Sequence, residues 1–455
     1  MMVWLRQSIV PAYLLLCLLV GGSAQAIIGN AVLQLLGLAI LVWAAIAPAT
    51  ERSSRASRQL GWLVVIALGL VAIQLVPLPE FLWSSLPGRR TISDGFEVLG
   101  VAPGWMPISL APYDGMATVL AVIPPLAILA AVLRLRYSPP RWIAIALLAG
   151  TLGGIMLGVL QATSPDALQS PWYLYRYSNF GIATGFFANS NHMASLLVVS
   201  IPFVVALASA ASASSEDPRK RLASLAIGLG GLVLLLVGLM INTSLAGFGL
   251  AVPVTIASVL LILKPRQRWV RTSGIAMTAL SVVAFLAVIA TPLSQNFESS
   301  GSATSVATRQ AMLEGSVDAI RAYGPVGTGL GTFRNVFATF EDPSAVDQTY
   351  VNHAHDDYLE LLVEFGLPGL FVIGLFLAWW AAAARQVVRS PAYDHFAAAG
   401  LIGSAAVLIH SLVDYPLRTA AMSSVFAACL ALMLTARHSA TSADDLRPTR
   451  HVMID

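Results

Sequence analysis

The chain has 455 residues, 57% of them hydrophobic and only 11% charged, with a formal net charge of +3. Soluble domains carry about 25% charged residues, so this balance excludes an ordinary soluble enzyme and points to a chain that crosses a membrane many times. No Walker-type glycine loop, internal repeat or nucleic-acid motif is present, and the two cysteines, Cys17 and Cys429, lie in apolar runs near opposite ends, where they read as packing residues rather than a disulfide.

Taken in order, the chain opens with Arg6 and an apolar run ending in Ser23-Ala24-Gln25-Ala26. This pattern suits either a cleaved secretory signal or a retained first helix over about 8–23; a second apolar run follows at once and favours retention. Further spans of membrane-crossing length are expected near 27–47, 60–77, 113–133, 142–160, 191–211, 222–241, 245–263, 272–291, 368–384, 396–413 and 419–436. The predicted fold is therefore an all-α polytopic membrane protein of about 12 transmembrane helices with a long, partly helical extracytoplasmic loop. Its expected parts are residues 1–291, helices 1–9 with outer loops 78–112 and 161–190; 292–357, an extracytoplasmic catalytic loop; 358–436, an interfacial helix and helices 10–12; and 437–455, a disordered cytoplasmic tail. With both ends cytoplasmic, only Arg89, Arg90, Arg176, Arg309, Arg321, Arg334 and Arg418 of the 26 basic residues fall outside, as the positive-inside rule requires.

The loop over 292–357 far exceeds the usual connection of about 4–6 residues. Met312, Val317, Ile320 and Tyr323 recur at helical spacing within Ala311 to Tyr323, and Gly324-Pro325-Val326-Gly327-Thr328-Gly329-Leu330-Gly331 then breaks any helix. The stretch His353-Ala354-His355-Asp356-Asp357-Tyr358-Leu359-Glu360 follows, at the edge of an apolar run. Charged groups slipping into hydrocarbon cost about 2.5–3.5 kcal/mol each, so a cluster at such an edge is a functional candidate. Proline disfavours a helix interior; a short helix from Asp357 to Phe365 is expected at the interface, with Pro368 opening the true span.

An imidazole at His355 can take a proton from a hydroxyl near neutral pH, and Asp356 and Asp357 are placed to hold its other ring nitrogen; an Asp there also suits a helix N-cap. Glu360 and Glu364 share a helical face. The outer cations Arg309, Arg321, Arg334 and Arg418 can fork onto phosphate oxygens. His410 and Asp414, four apart, read as a mutual hydrogen bond. Asn189-Ser190-Asn191 opens a helix, either as a cap or as an anion-binding N-terminus.

Together these residues resemble the O-antigen ligase and O-antigen polymerase superfamily of bacterial inner-membrane proteins. The resemblance rests on Gly185-Phe186-Phe187-Ala188-Asn189-Ser190-Asn191, on Arg309 followed by Pro325 to Phe333, on His353 to Glu360 with Glu364-Phe365-Gly366-Leu367-Pro368-Gly369, and on His410-Ser411-Leu412-Val413-Asp414. It implies transfer of a glycan from an undecaprenyl-pyrophosphate carrier to a glycan or lipid A-core acceptor at the periplasmic face. His355 would be the catalytic base and Arg309 a pyrophosphate contact. Arg334, Arg418, Asn189, Asn191 and Glu364 are further substrate-binding candidates, and Asp356, Asp357, Tyr358, His410 and Asp414 supporting ones. No metal or other cofactor is expected. Two positions depart from the family pattern: Asp356 stands where Asn is usual after the histidine, and Leu245 follows Ser244 where many ligases have arginine. A small-solute transporter and a non-catalytic member of a polysaccharide export complex remain alternatives.

The charge pattern makes a topological prediction. In intact spheroplasts, cysteine labelling from outside should reach Ala303→Cys, whereas Glu216→Cys should label only after permeabilisation. Outside labelling of the 216 variant overturns the orientation.

Overall fold

The computed structural model describes residues 2–25, 27–48, 54–135, 138–263, 303–341, 351–390 and 394–435, with isolated helical positions between 272 and 283. The expected span over 272–291 lies mostly outside them, as do the start of the long loop and the tail from 436 onward.

The first half of the chain forms α1 (Met2–Val20), α2 (Ile27–Ile46), α3 (Arg55–Gln74), α4 (Glu80–Trp83), α5 (Arg90–Val98), α6 (Pro112–Ala121), α7 (Ile123–Ala130), α8 (Pro140–Ala162), α9 (Ser190–Ala213), α10 (Pro218–Asn242) and α11 (Leu245–Ser258). Then come α12 (Ala303–Tyr323), α13 (Phe333–Phe337), α14 (Asp357–Arg389), α15 (His395–His410) and α16 (Ala420–Thr435). Short polar residues start several of these helices by accepting from free backbone N–H groups: Ser54 from Ser57 at 3.1 Å, Asp217 from Arg219 at 2.9 Å, and Asp394 from Phe396 at 2.8 Å. The only paired strands among the described residues are β1 (Pro77–Leu78) and β2 (Met106–Pro107), which close the base of the loop between α3 and α6.

Among the described residues, eight helical segments are long and apolar enough to cross a membrane. Arg6–Val20, α15 and α16 are apolar but shorter; helices thus stand at eleven of the twelve expected spans, and the twelfth, 272–291, lies mostly outside the described residues. α15 is buried along most of its length against α9 and α16, and α16 against α15, α7 and α1. Small residues permit this closeness, as they do between membrane helices generally. α1 packs Val10, Tyr13, Leu14, Cys17 and Leu18 into the same core, and Cys429 enters it from α16. Both cysteines are free and buried.

The long loop folds back onto the bundle. The helix expected over Ala311 to Tyr323 is the second half of α12. Its Met312 and Ala319 join Phe333, Val336 and Phe337 of α13, together with Ala354 and Val363, in a small core of their own. The glycine-rich break follows, with positive φ at Gly327, Gly329 and Gly331.

α14 is two helices across a kink, at the predicted place. Gly366 has φ 59° and ψ −143°. The loop fills the break: the Leu367 N–H donates to the Pro325 carbonyl at 2.9 Å, and the Thr328 and Gly329 N–H groups donate to the carbonyls of Val363 and Glu364 at 3.1 and 2.8 Å. A Cβ on Gly366 would lie 2.1 Å from the Pro325 oxygen. Gly366→Ala should therefore combine backbone strain with a clash and destabilise the protein by about 2–4 kcal/mol. Thermal unfolding in detergent reads this, and an unchanged Tm would mean that the loop does not dock in the kink.

Candidate active site

The site forms where α14 begins and where the chain turns from α15 into α16. Asp356 caps α14: its Oδ1 accepts from the N–H groups of Tyr358 at 2.8 Å and Leu359 at 2.9 Å. Burial pushes its carboxyl up from the usual range, against the pull of those two bonds.

Asp357, Glu360 and Glu364 follow at helical spacing on one buried face. All three meet Arg418: Nε lies 3.5 Å from Asp357 Oδ1, Nη2 lies 3.4 Å from Glu360 Oε1, and Nη1 lies 3.4 Å from Glu364 Oε2. Other donors share the load. Ser411 Oγ donates to Asp357 Oδ2 at 2.8 Å, and the Gly331 N–H donates to Glu364 Oε1 at 2.7 Å. Nδ1 of His353 lies 2.9 Å from Glu360 Oε1. Burial alone would lower the Arg418 pKa, but the carboxylates of Glu360, Glu364 and Asp357 outweigh it and hold the guanidinium charged.

His355 stands beside this clamp in a left-handed conformation, φ 52°. Such backbone strain in a non-glycine residue gathers at functional sites. Its Nδ1 is 3.3 Å from Asp414 Oδ1, and Asp414 is fully buried. His192 Nε2 approaches the other oxygen at 3.9 Å. Burial opposes ionisation of Asp414, yet His355, His192 and His410 together win and hold its carboxyl well below the ordinary range. The Tyr415 ring packs against three imidazoles, with centroids 4.3 Å from His353, 4.9 Å from His355 and 5.0 Å from His192. Asn189 Nδ2 donates to its hydroxyl at 3.4 Å.

Two cavities meet here. One, of about 480 Å³, opens between α2 and α6 and is lined by Asn30, Gln34, Asp114 and Arg334. The other, of about 380 Å³, is lined by Asn179, Asn189, His192, His355 and Tyr415. His353 and Arg418 line both. Glu360 and Glu364 form part of the first. Among the described residues, no cluster of three or more His, Cys, Asp or Glu is arranged to hold a metal ion.

Most residues singled out from the sequence converge here, in altered roles. The carboxylate against His355 comes from Asp414, because Asp356 is spent on the helix cap and Asp357 on Arg418 and Ser411. His410 pairs its Nδ1 with Ser195 Oγ at 2.6 Å, and Tyr358 donates to the Leu408 carbonyl at 2.9 Å. The α9 N-terminus is capped by Asn189, which accepts from the Asn191 N–H at 2.8 Å. Asn191 Oδ1 in turn accepts from Ser244 Oγ at 2.8 Å, which ties α9 to α11. Arg309 lies on α12, with its side chain outside the described residues.

Sequence reasoning missed His192, Tyr415 and Gln74. Gln74 is buried at the end of α3. Its Nε2 donates to the Glu364 carbonyl at 2.9 Å and its Oε1 accepts from the Leu330 N–H at 3.0 Å. A lone amide or imidazole at the end of an apolar run was the available signal.

Residues 230–374 match the family model described as O-Antigen ligase. That match supports the resemblance to the O-antigen ligase and polymerase superfamily. It takes in α12, the glycine turns, His353 and His355, and the three carboxylates, while Asp414 and Arg418 lie beyond it. No curated protein matches the chain. The family implies glycan transfer of ligase or polymerase type by a multi-pass membrane protein.

Removing one partner of a buried ion pair typically costs about 3–5 kcal/mol, since the other charge is left uncompensated. Arg418→Met strands three carboxylates and should lower the yield of folded protein and its Tm in detergent sharply. An unaltered Tm would mean that water already satisfies the acids.

Proposed function

We propose that this protein transfers a glycan from an undecaprenyl-pyrophosphate carrier to an acceptor hydroxyl, on a second glycan or on lipid A-core, at the periplasmic face of the bacterial inner membrane. The observation that carries the reading is His355, half-exposed in a cavity and backed by the buried carboxylate of Asp414 at 3.3 Å. An ionised carboxylate only accepts, so a proton on Nδ1 suits this neighbour and leaves Nε2 as the basic nitrogen toward the cavity. Nε2 takes the acceptor's hydroxyl proton as the oxygen attacks the anomeric carbon. The bond from that carbon to the diphosphate breaks, and its electron pair leaves on the diphosphate oxygen. The developing charge calls for positioned cations, and Arg334, on the wall of the larger cavity, and Arg309 are the candidates. The larger cavity, open between α2 and α6, suits a lipid-linked donor. The smaller one, with its amides and Tyr415, suits a sugar acceptor. Alignment of the two substrates at their junction supplies the rest of the rate. No step requires a metal.

Transfer from lipid-linked donor in proteoliposomes tests this. His355→Ala should slow turnover by roughly 10²–10⁴-fold, the usual share of general-base catalysis, with donor binding little changed. Arg309→Ala should weaken donor binding and turnover together, and Arg309→Lys should restore only part because an ammonium lacks the forked contact. If normally inserted His355→Ala protein makes product at the wild-type rate, the base assignment is wrong.

A further inference from the structure

His353 is the imidazole that both cavities share. His355 lines only the smaller of the two. A reaction between groups held in adjoining cavities takes place where they join, so a side chain on both walls lies beside the bond that breaks. The local charge sharpens the point. Asp357, Glu360 and Glu364 face the single guanidinium of Arg418. A diphosphate entering the larger cavity meets Glu360, Glu364 and Asp114 as well as Arg334. It needs a further donor on the acidic side.

His353 is built to be that donor. Its Nδ1 faces Glu360 Oε1 at 2.9 Å and Oε2 at 3.2 Å, and Glu360 Oε2 also accepts from the Ala354 N–H at 3.0 Å. The ring is braced by Tyr415 at 4.3 Å. The side chain is nevertheless 21% exposed, and no protein hydrogen bond among the described residues uses its Nε2. One edge of the ring is thus anchored while the other is left to the cavities.

We propose that His353 is a second catalytic imidazole, whose Nε2–H bonds the leaving diphosphate while His355 takes the acceptor proton. This rests on the carrier reading above. The step is balanced without a proton transfer from His353: the electron pair of the broken carbon–oxygen bond stays on the diphosphate, and His353, set between two anions, donates from Nδ1 to Glu360 and from Nε2 to the diphosphate.

Two amide substitutions separate this role from a structural tie. In His353→Asn the amide nitrogen falls near Nδ1, which keeps the Glu360 bond and removes the cavity-facing donor. In His353→Gln it falls near Nε2 and does the reverse. Binding of undecaprenyl pyrophosphate and of undecaprenyl monophosphate to the purified protein gives a readout that needs no knowledge of the sugar. His353→Asn should keep the wild-type Tm but lose about tenfold in diphosphate affinity, the worth of one charge-assisted bond, with the monophosphate little affected. His353→Gln should hold the diphosphate better than His353→Asn and melt earlier. If His353→Asn binds the diphosphate like wild type, His353 only positions Glu360 and the proposal falls alone. If wild-type protein shows no preference for the diphosphate, the carrier reading falls and takes the proposal with it.

Discussion

Three carboxylates on one face of a helix cannot be buried unless cations and donors come with them, because the desolvation penalty is several kcal/mol for each ion. Arg418 is the answer to Asp357, Glu360 and Glu364, and the arrangement suits arginine rather than lysine: a planar fork of five N–H donors reaches three acceptors at once. The consequence is geometric. Arg418 fixes the turn between α15 and α16 against the first two turns of α14. Asp414 and Tyr415 lie on that same turn, so the clamp also sets where the carboxylate meets His355 and where the ring meets three imidazoles. The Asp357 N–H donating to the Ser411 carbonyl at 3.0 Å locks the register from the backbone side.

The second constraint is the break at Gly366. An interrupted helix near hydrocarbon exposes carbonyls that lipid cannot satisfy, and such irregular backbone persists only where protein or a cavity meets it. Here the glycine turns after α12 meet it, with Gln74 adding a side-chain bond to the Glu364 carbonyl. Glu364 is therefore held at both ends, its carbonyl by the Gly329 N–H and Gln74 and its carboxylate by the Gly331 N–H and Arg418. This couples the extramembrane loop to the membrane helices: displacing the loop would unsatisfy the kink and the acid together.

These two constraints explain what could be read in advance. The kink was legible because Gly366 and Pro368 are local signals, and α12 because a period of 3.6 is a local signal too. His355 was legible as a polar residue at a hydrocarbon edge. Its partner was not. Asp414 lies 59 positions later, and Asp356 and Asp357 stand beside His355 in sequence, so proximity along the chain favoured the wrong acids. A helix resolves this: Asp356 turns back to cap the first turn while Asp357 points along the face that Arg418 occupies. Arg418 itself read as an outer cation available to phosphate, since nothing in its own neighbourhood announces the three acids that claim it.

The same geometry divides the chemistry at the junction. Two imidazole–carboxylate pairs, His353 with Glu360 and His355 with Asp414, both pack against the Tyr415 ring, which holds the imidazoles without adding charge. Their surroundings differ. Asp414 is sealed among His192, His355 and Tyr415, so the carboxylate that orients His355 is shielded from bulk water and acts at low dielectric. Glu360 shares its charge with Arg418 on the wall of the larger cavity. In the proposed reaction, a nucleophile approaching through the smaller cavity would meet His355 with the buried Asp414 behind it. A leaving group in the larger cavity would meet the Nε2 edge of His353, whose Nδ1 edge is held by Glu360. The different tasks proposed for these two histidines thus rest on the acid behind each ring, and each acid is placed by the clamp at Arg418.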